Sequence, residues 1–344
     1  PPFILPGFNP VPPLCYNRLM ATTETLKTLY TPIAPQLVEV RALVDSIWRD
    51  ALKLVRVPSV DIPGAGGKFL RPALCLLSAG TAGAGDLDQY ARLAAAYEGL
   101  HLASLAHDDV IDHAMMRRGH NSLNALWNNH AAVLGGDYLV ARAVEMIAEY
   151  DCCTVVSKAV ASVRHMAECE LFFFGRPPGE ALPEECLQLA EGKTASLFAA
   201  ACSAPATILK SQHESALWQF GNSLGVAFQL VDDLLDLTGT TDDLGKPSCG
   251  DIAEGKSTLP VLYMQEVLSA EEKARLHALQ GTPLSEQDRQ WVHDTVIETG
   301  AVSKTQAVAK AYADQALAAL ASIPENPYHK SMEGLMRFVL DRNT

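Results

Sequence analysis

The sequence lacks any apolar run long enough to cross a membrane, and it carries little charge for its length. Of its 344 residues, 19% are charged, 7% are aromatic and 48% are hydrophobic. A membrane-spanning helix needs about 20 consecutive apolar residues. The best candidate, residues 131–150, is interrupted by Asp137, Arg142 and Glu145. The hydrophobic fraction argues against intrinsic disorder and is enough for a sizeable core, so we expect a soluble, folded protein.

A surplus of basic residues and a pattern of paired cysteines are also missing. The 27 Lys and Arg residues stand against 40 Asp and Glu residues, which gives a net charge of −13. This balance argues against a nucleic-acid partner, because such proteins present basic surfaces to the phosphate backbone. None of the eight cysteines forms a CxxC pair, and a disulfide framework is not expected in a chain of this length. We therefore predict a reducing compartment, the cytoplasm.

Helical patterns dominate the chain after its first residues. Residues 1–19 are crowded with proline and begin without Met, so we interpret them as a tag or disordered leader outside the fold. Beyond them, apolar residues recur at spacings of three and four, as in Leu93, Tyr97 and Leu100, which predicts amphipathic helices. Runs of alternating β-branched residues are almost absent, and no linker divides the chain. Residues 20–344 are therefore predicted to form one all-α domain.

Two aspartate-rich motifs stand out, HDDVID at residues 107–112 and QLVDDLLD at residues 229–236. Their acidic residues are Asp108, Asp109, Asp112, Asp232, Asp233 and Asp236. On a helix, aspartates four residues apart share a face, where like charges destabilise the helix. The apolar flanks raise that cost. A divalent cation would remove it, and hard carboxylate oxygens suit Mg²⁺. Solvated acidic faces are the alternative, but two such motifs in apolar sequence favour metal binding.

Basic residues accompany these motifs at several places along the chain. They lie in GGKFLRP (66–72), RRG (117–119), KT (193–194), LGKP (244–247) and DIAEGKSTLP (251–260), and they are Lys68, Arg71, Arg117, Arg118, Lys193, Lys246 and Lys256. Arg offers bidentate contacts to phosphate oxygens, and Lys offers a compact charge. Each one alone resembles an ordinary surface cation. Their recurrence beside the aspartates predicts a phosphorylated ligand.

With these motifs in this order, the chain from Thr23 to its C-terminus resembles the trans-type polyprenyl diphosphate synthases. The resemblance implies an all-α fold, an antiparallel helical bundle around a deep central cavity, usually assembled as a homodimer. It also implies the reaction, a Mg²⁺-dependent head-to-tail condensation of isopentenyl diphosphate onto an allylic diphosphate. We also expect three Mg²⁺ ions per active site, an all-trans polyprenyl diphosphate product and no nucleic-acid partner.

The resemblance also assigns roles by motif. It makes Asp108, Asp112 and Asp232 the principal Mg²⁺ ligands, with Asp109, Asp233 and Asp236 as additional or water-mediated ones. The residues expected to hold the allylic diphosphate are Arg117, Lys193, Lys246 and Lys256, and those expected to hold isopentenyl diphosphate are Lys68, Arg71, His101 and Arg118. Lys193 and Lys256 are counted among the catalytic residues together with Thr194 and Gln229, which are expected near the reacting allylic carbon. Phe69 departs from the family pattern, which often has a basic residue there.

The chemistry requires heterolysis of an allylic C–O bond. Metal ions and Lys or Arg would stabilise the negative charge that grows on the leaving diphosphate. The Thr194 hydroxyl and helix carbonyls could stabilise the carbocation if water is excluded. No side chain is an obvious base for the final proton, which the departing diphosphate could accept. His107 is a candidate, but a structural, hydrogen-bonding role is the favoured interpretation.

Product length depends on the side chains below the first aspartate motif. Ser104 and Ala103 are small and lie about 6–7 Å deeper along a helix, and Leu100 and Tyr97 lie about 12 and 16 Å down. No aromatic plug follows the motif closely, so we predict a product of more than four isoprene units, a medium to long chain. Residues 172–174, three phenylalanines, could form a floor from another helix or be ordinary core.

Three other functions compete with this prediction. A short-chain geranylgeranyl or farnesyl diphosphate synthase would share all the motifs. A terpene cyclase usually lacks the second aspartate motif and the Lys68/Arg71 loop. A non-catalytic regulatory subunit of a heteromeric synthase would not be expected to retain six clustered aspartates. Assay of the products by mass separates the three.

Overall fold

Helices make up nearly all the regular structure that the computed structural model describes, which covers residues 25–55, 67–117, 120–174, 180–239 and 247–343. In chain order they are α1 (Ala34–Val55), α2 (Leu70–Thr81), α3 (Ala91–Ile111), α4 (Leu123–Leu126), α5 (Asn129–Ala148), α6 (Cys153–Phe173), α7 (Pro183–Leu189), α8 (Ser196–Ile208), α9 (Glu214–Thr238), α10 (Gly250–Ala253), α11 (Leu259–Val267), α12 (Ala270–Leu279), α13 (Glu286–Glu298), α14 (Ala301–Leu320) and α15 (Pro327–Leu340). A π-helical segment, Ala190–Ala195, joins α7 to α8.

Polar caps define the start of several helices. The Asn128 side chain accepts a hydrogen bond from the backbone of Ala131 at the start of α5. Ser269 and Glu272 form a capping box at α12, and Asn326 caps α15, which has Pro at its first turn. These side chains satisfy backbone N–H groups that have no partner within the helix. The helix boundaries therefore follow from local sequence.

The centre of the fold is α3, which packs against α1, α2, α5 and α8. Leu93, Tyr97 and Leu100 on this helix are at most 1% exposed, and so are the alanines between residues 94 and 96. A helix that is apolar on all sides is stable only when other elements surround it. The first aspartate motif lies at the C-terminal end of this buried helix, which holds it in a rigid setting.

The second long helix, α9, packs very closely against the segment that precedes it. It contacts α8, the π-helical segment and α14. A Cβ atom on Gly225 would lie 2.5 Å from the Ala195 Cα atom, and one on Gly221 would lie 2.6 Å from the Phe198 carbonyl oxygen. Real Cβ atoms do not approach other atoms so closely. Gly225 therefore sets the distance between α9 and the π-helical segment, and Gly221 sets the distance between α9 and α8.

The prediction of an all-α fold is confirmed, with one small addition. Met116 pairs with Asn121 and Arg117 with His120 in an antiparallel hairpin of two-residue strands, β1 (Met116–Arg117) and β2 (His120–Asn121). The hairpin lies directly after the first aspartate motif. A strand of two residues leaves no alternating pattern to recognise.

Two further expectations concern the described part of the chain. Seven cysteines lie there, and each of them is a free thiol. No helix among the described residues is both long and apolar enough to cross a membrane. The predicted leader at residues 1–19 lies outside the described residues.

The packing of α9 generates a test of stability. Gly225→Ala forces the added methyl group against the Ala195 backbone, so we expect the free energy of unfolding to fall by about 1–3 kcal/mol. Gly99→Ala is the matched control, because it is also a buried helical glycine but its Cβ would lie 3.5 Å from the Ala143 Cβ, an ordinary contact. That control is expected to be neutral or to gain up to about 1 kcal/mol from helix propensity. Urea denaturation measures both, and equal stability of the two variants would contradict the account.

Candidate active site

The two aspartate motifs occupy the C-terminal ends of the two long central helices. Asp108 and Asp109 are in the last turn of α3, and Asp112 caps it, with its N–H donating to the Asp108 carbonyl at 2.8 Å. The second motif occupies the last turns of α9. The negative end of a helix dipole disfavours carboxylates, so both motifs are placed where a compensating cation would stabilise them.

Two lysines approach the first motif. The Lys193 Nζ atom lies 3.9 Å from the Asp108 Oδ1 atom, and the Lys256 Nζ atom lies 3.4 Å from the Asp112 Oδ2 atom. The two lysines come from the π-helical segment and from the loop after α10, far apart in sequence. The fold therefore brings three of the predicted motifs together.

Each lysine also pairs with a glutamate that sequence reasoning did not identify. Lys193 forms an ion pair with Glu170, and Lys256 forms one with Glu254. Burial would lower the pKa of Lys193, but Asp108 and Glu170 outweigh it, so its pKa is raised. The pKa of Lys256 is likewise raised by its acidic neighbours against the effect of burial. Both side chains therefore stay positively charged at neutral pH.

A hydrogen-bonded chain joins the π-helical segment to the second motif. The Thr194 hydroxyl donates to the Gln229 Oε1 atom at 2.7 Å, and the Gln229 Nε2 atom donates to the Asp233 Oδ1 atom at 2.8 Å. Lys193 and Thr194 are adjacent in the chain, but their side chains point in different directions. Lys193 approaches the first motif, and Thr194 contacts Gln229 of the second. π-Helical insertions are frequent at functional sites because they displace neighbouring side chains from the α-helical register.

The second motif is the more deeply buried of the two. Asp233 and Asp236 are 8% and 5% exposed, and the Asp236 Oδ2 atom accepts the backbone N–H of Asp251 at 3.0 Å. Burial, and then the nearby charge of Asp251, raise the pKa of Asp233 well above its usual value, against the hydrogen bond from Gln229. The second motif therefore holds acidic groups in a setting that favours their neutralisation or the binding of a cation.

The composition of the donor set fits Mg²⁺. In the described ranges, no three His, Cys, Asp or Glu side chains converge closely enough to enclose a metal ion. Mg²⁺ is commonly held by one or two carboxylates together with substrate phosphates and waters rather than by an all-protein cage. The oxygen-only ligands of the two motifs, with lysines beside them, match such a shared site. The six predicted ligand roles stay predictions.

The Lys68/Arg71 loop leads into α2. The Lys68 Nζ atom lies 5.7 Å from the centre of the Phe338 ring, and the Arg71 guanidinium lies 4.4 Å from the centre of the Phe198 ring. Phe69 is buried and has a left-handed backbone, with φ of 52°, a conformation that costs free energy outside glycine. Its aromatic ring therefore packs inward and cannot replace a phosphate-binding cation.

Two arginines near the site have no signature in the sequence motifs. The Arg41 guanidinium from α1 lies 4.4 Å from the centre of the Phe69 ring, which brings a cation beside the residue that departs from the family pattern. The Arg342 Nη1 atom, from the C-terminal segment, lies 2.8 Å from the Asp232 Oδ1 atom. Both contacts depend on distant parts of the chain, so no local pattern could have indicated them.

Some predicted site residues lie outside the part of the chain that the structure describes. Arg118 and Lys246 lie outside the described residues, and so does the side chain of Arg117. His101 is half-buried on α3, and its carbonyl accepts a hydrogen bond from Ser104 at 2.8 Å. The roles assigned to these residues stay predictions.

His107 points away from the aspartates. Its Nε2 atom lies 3.1 Å from the Val133 carbonyl oxygen and 3.4 Å from the Asp137 carboxylate, both on α5. A Cβ atom on Gly136 would lie 2.2 Å from that ring, so the imidazole fills the space above a glycine. This packing supports a structural role for His107 rather than a role as the base.

The residues proposed to control product length differ in their surroundings. Ser104 is half-buried on the same face as Asp108, whereas Ala103 is completely buried in the core. Phe172 and Phe174 are 49% and 84% exposed, so neither a cavity floor nor ordinary core describes them. Phe172 and Phe173 instead line a surface cavity of about 460 Å³ between α6, α7 and α9.

The crowding of carboxylates around Asp233 yields a prediction about the ligand-free protein. Asp233→Asn keeps the oxygen that accepts from Gln229 and removes the charge, so we expect the melting temperature at pH 7 to rise by about 2–4 °C. Because the folded-state pKa is raised, the stability of the parent protein falls as pH rises above the usual carboxyl value of 3.8. The difference in melting temperature between Asp233→Asn and the parent should therefore increase as the pH rises above 3.8 and decrease at lower pH.

Asp314→Asn is the control for this experiment. Asp314 is an exposed carboxylate paired with Lys310, and removing such a charge is expected to change stability by no more than about 0.5 kcal/mol. Thermal denaturation between pH 4 and pH 8 compares the two variants. A lower melting temperature for Asp233→Asn than for the parent at pH 7 would contradict the electrostatic account.

Comparisons with known proteins agree with this geometry. The sequence model of the polyprenyl synthetase family matches residues 53–296. The all-trans-nonaprenyl-diphosphate synthase (geranyl-diphosphate specific) of Rhodobacter capsulatus is 34% identical, over 91% of this chain and 97% of that protein. The crystal structure of a decaprenyl diphosphate synthase from Rhodobacter capsulatus is similar, with a TM-score of 0.82 and 29% identity over 93% of this chain and 99% of that one. The crystal structure of a polyprenyl synthase from Caulobacter crescentus, complexed with calcium and isoprenyl diphosphate, is also similar. Its TM-score is 0.82, and it is 32% identical over 93% of this chain and 98% of that one.

Proposed function

Since the chain belongs to the polyprenyl synthetase family, we propose that it is a Mg²⁺-dependent prenyltransferase making all-trans polyprenyl diphosphates of medium to long chain. It would condense isopentenyl diphosphate head-to-tail onto an allylic diphosphate. We further propose that it works in the cytoplasm as a homodimer and that residues 20–344 act as one domain.

The observation that carries this proposal is the convergence of both aspartate motifs on Lys193 and Thr194. Lys193 approaches Asp108 of the first motif, and Thr194 is linked through Gln229 to Asp233 of the second. A diphosphate bound between the motifs would then lie between lysines and acidic groups. Bound Mg²⁺ would act there as a Lewis acid that stabilises charge on the leaving diphosphate.

The residues of this chain would prepare the allylic substrate for ionisation. Lys193 and Lys256, both positively charged, would exchange their carboxylate partners for diphosphate oxygens and hold the leaving group. Thr194 and Gln229 would then face the allylic carbon with oxygen atoms that stabilise positive charge. Their hydrogen bonds to each other and to Asp233 fix these side chains before the reaction begins.

The second substrate would bind on the opposite side. Lys68 and Arg71 are supported there by aromatic rings of α15 and α8, which restrict the two cations without neutralising them. Isopentenyl diphosphate held by these residues could direct its alkene to the allylic carbon. The departing diphosphate is the proposed acceptor of the final proton, because His107 points towards α5.

Exposed apolar side chains support the proposed dimer. Ile111, Met115, Met116, Val133 and Leu134 are between 39% and 66% exposed. They lie at the end of α3, around the hairpin and in the second turn of α5, and the contact between His107 and Val133 brings α3 and α5 together. A group of this kind often marks a protein interface. A second copy of the chain is the proposed partner.

Product analysis tests the proposed reaction. The purified protein is incubated with Mg²⁺, isopentenyl diphosphate and farnesyl diphosphate, and products are identified by mass. We expect chains of more than four isoprene units, and no turnover when Mg²⁺ is omitted, because the acidic site would lose its bridge to diphosphate. A product of four units or fewer would establish the short-chain alternative. No product with any allylic primer would favour a regulatory subunit.

Chain length has its own test at Ser104. Ser104→Phe places an aromatic ring one turn below Asp108, so the product should shorten while the first condensations continue. Ser104→Ala is the matched control and should leave product length unchanged. Ala103→Phe is the less informative change, because residue 103 is completely buried and overpacking costs about 1–3 kcal/mol. An unchanged product distribution in a folded Ser104→Phe enzyme would refute the proposed path of the growing chain.

A further inference from the structure

The C-terminal segment places an arginine directly on the second aspartate motif. Arg342 belongs to the short 3₁₀ turn Asp341–Asn343, which follows α15. Its Nη1 atom lies 2.8 Å from the Asp232 Oδ1 atom, and its side chain is 17% exposed. The guanidinium carbon also lies 4.8 Å from the centre of the Phe228 ring. Phe228 is one helical turn before Asp232 on α9, so ring and carboxylate form one binding surface.

This contact is stronger than an ordinary surface ion pair. Arg337, also near the C-terminus, is 69% exposed and lies 3.6 Å from Glu333, and exposed pairs of that kind contribute little. Arg342 instead combines a short charged contact, partial burial and stacking on an aromatic ring. Charge-assisted contacts and cation–π interactions both strengthen as water is excluded. The Arg342–Asp232 pair is therefore expected to persist in solution.

The aromatic surface connects this pair to the proposed isopentenyl diphosphate site. The centre of the Phe228 ring lies 5.6 Å from the centre of the Phe198 ring, and the Arg71 guanidinium lies over the Phe198 ring, 4.4 Å from its centre. Two arginines thus share a platform of two adjoining rings. A rearrangement of Arg342 would take place beside the predicted substrate site and not at a remote surface.

We propose that Arg342 is the built-in counter-ion of Asp232 and that a metal ion must displace it to use that carboxylate. The inference rests on the proposed metal role of Asp232. A divalent cation on the Asp232 Oδ1 atom would lie close to the guanidinium that is 2.8 Å from the same oxygen, so the two positive charges would repel each other and compete for that carboxylate. Arg342 therefore makes metal binding to the second motif unfavourable until a diphosphate adds its negative charge. It acts as a positioning residue that couples metal binding to substrate binding.

Metal binding to the ligand-free, full-length protein tests this inference without measuring turnover. Mn²⁺ is the probe, because carboxylate sites suited to Mg²⁺ also accept it, and free Mn²⁺ is measured by electron paramagnetic resonance. Arg342→Ala should bind Mn²⁺ about tenfold more tightly than the parent, since the competing cation is gone. Arg342→Lys, which keeps a charge but loses the planar fork, should fall between them. Arg337→Ala, the matched control, should resemble the parent.

A double-variant cycle separates direct competition from a general change of charge. In the Asp232→Asn background, Arg342→Ala should no longer alter Mn²⁺ affinity, because the carboxylate for which they compete is absent. A purely structural Arg342 predicts equal or weaker Mn²⁺ binding in Arg342→Ala, and that result would overturn the inference. An effect of the same size in both backgrounds would overturn it as well.

The underlying metal role of Asp232 is tested separately. Inorganic diphosphate is added with Mn²⁺ to the parent protein and to Asp232→Asn, and bound Mn²⁺ is counted. A loss of bound Mn²⁺ in Asp232→Asn supports the metal role and leaves the Arg342 result to decide the inference. Equal amounts of bound Mn²⁺ in the parent and in Asp232→Asn would show that Asp232 is not a metal ligand, which is the premise of the inference.

Discussion

Mutual repulsion among carboxylates at the ends of α3 and α9 is the constraint around which the site is organised. Six aspartates occupy helix C-termini, where the helix dipole adds to their repulsion. Three cations offset this repulsion, Lys193 at Asp108, Lys256 at Asp112 and Arg342 at Asp232. Bound metal ions would replace these cations at the aspartates, and a bound diphosphate would replace the aspartates as the partner of the lysines. The stability of the site and the binding of substrate therefore depend on one set of charges.

The packing of the central helices makes that arrangement possible. α3 is surrounded by other helices, and Gly225 lets α9 approach the π-helical segment closely. Lys193 and Thr194, adjacent in that segment, consequently contact different motifs. A rigid scaffold is needed because charged side chains that moved freely would form ion pairs other than those that bind the substrate. The repulsion between the aspartates destabilises the fold, and the packing of the buried helices around the site offsets this effect.

Much of the fold and the family was predictable because the relevant signals are local. The three- and four-residue spacing predicts helices, and the family suggested by the aspartate and lysine motifs is confirmed by the comparisons. The hairpin at Met116 was not predictable, because two-residue strands carry no period. The placement of Phe172 and Phe174 was not predictable either, because three consecutive apolar residues cannot all share a helix face and the sequence does not say which one is buried.

The sequence by itself determined the helical class, the chemical types at the site and their order along the chain. Each depends on residue identity and on spacings of a few residues, which local physics interprets directly. Tertiary structure alone decided that Lys193 meets Asp108, that Arg41 stacks on Phe69 and that Arg342 meets Asp232. Those contacts join residues far apart in the chain. Their existence depends on how whole helices pack, which no local pattern records.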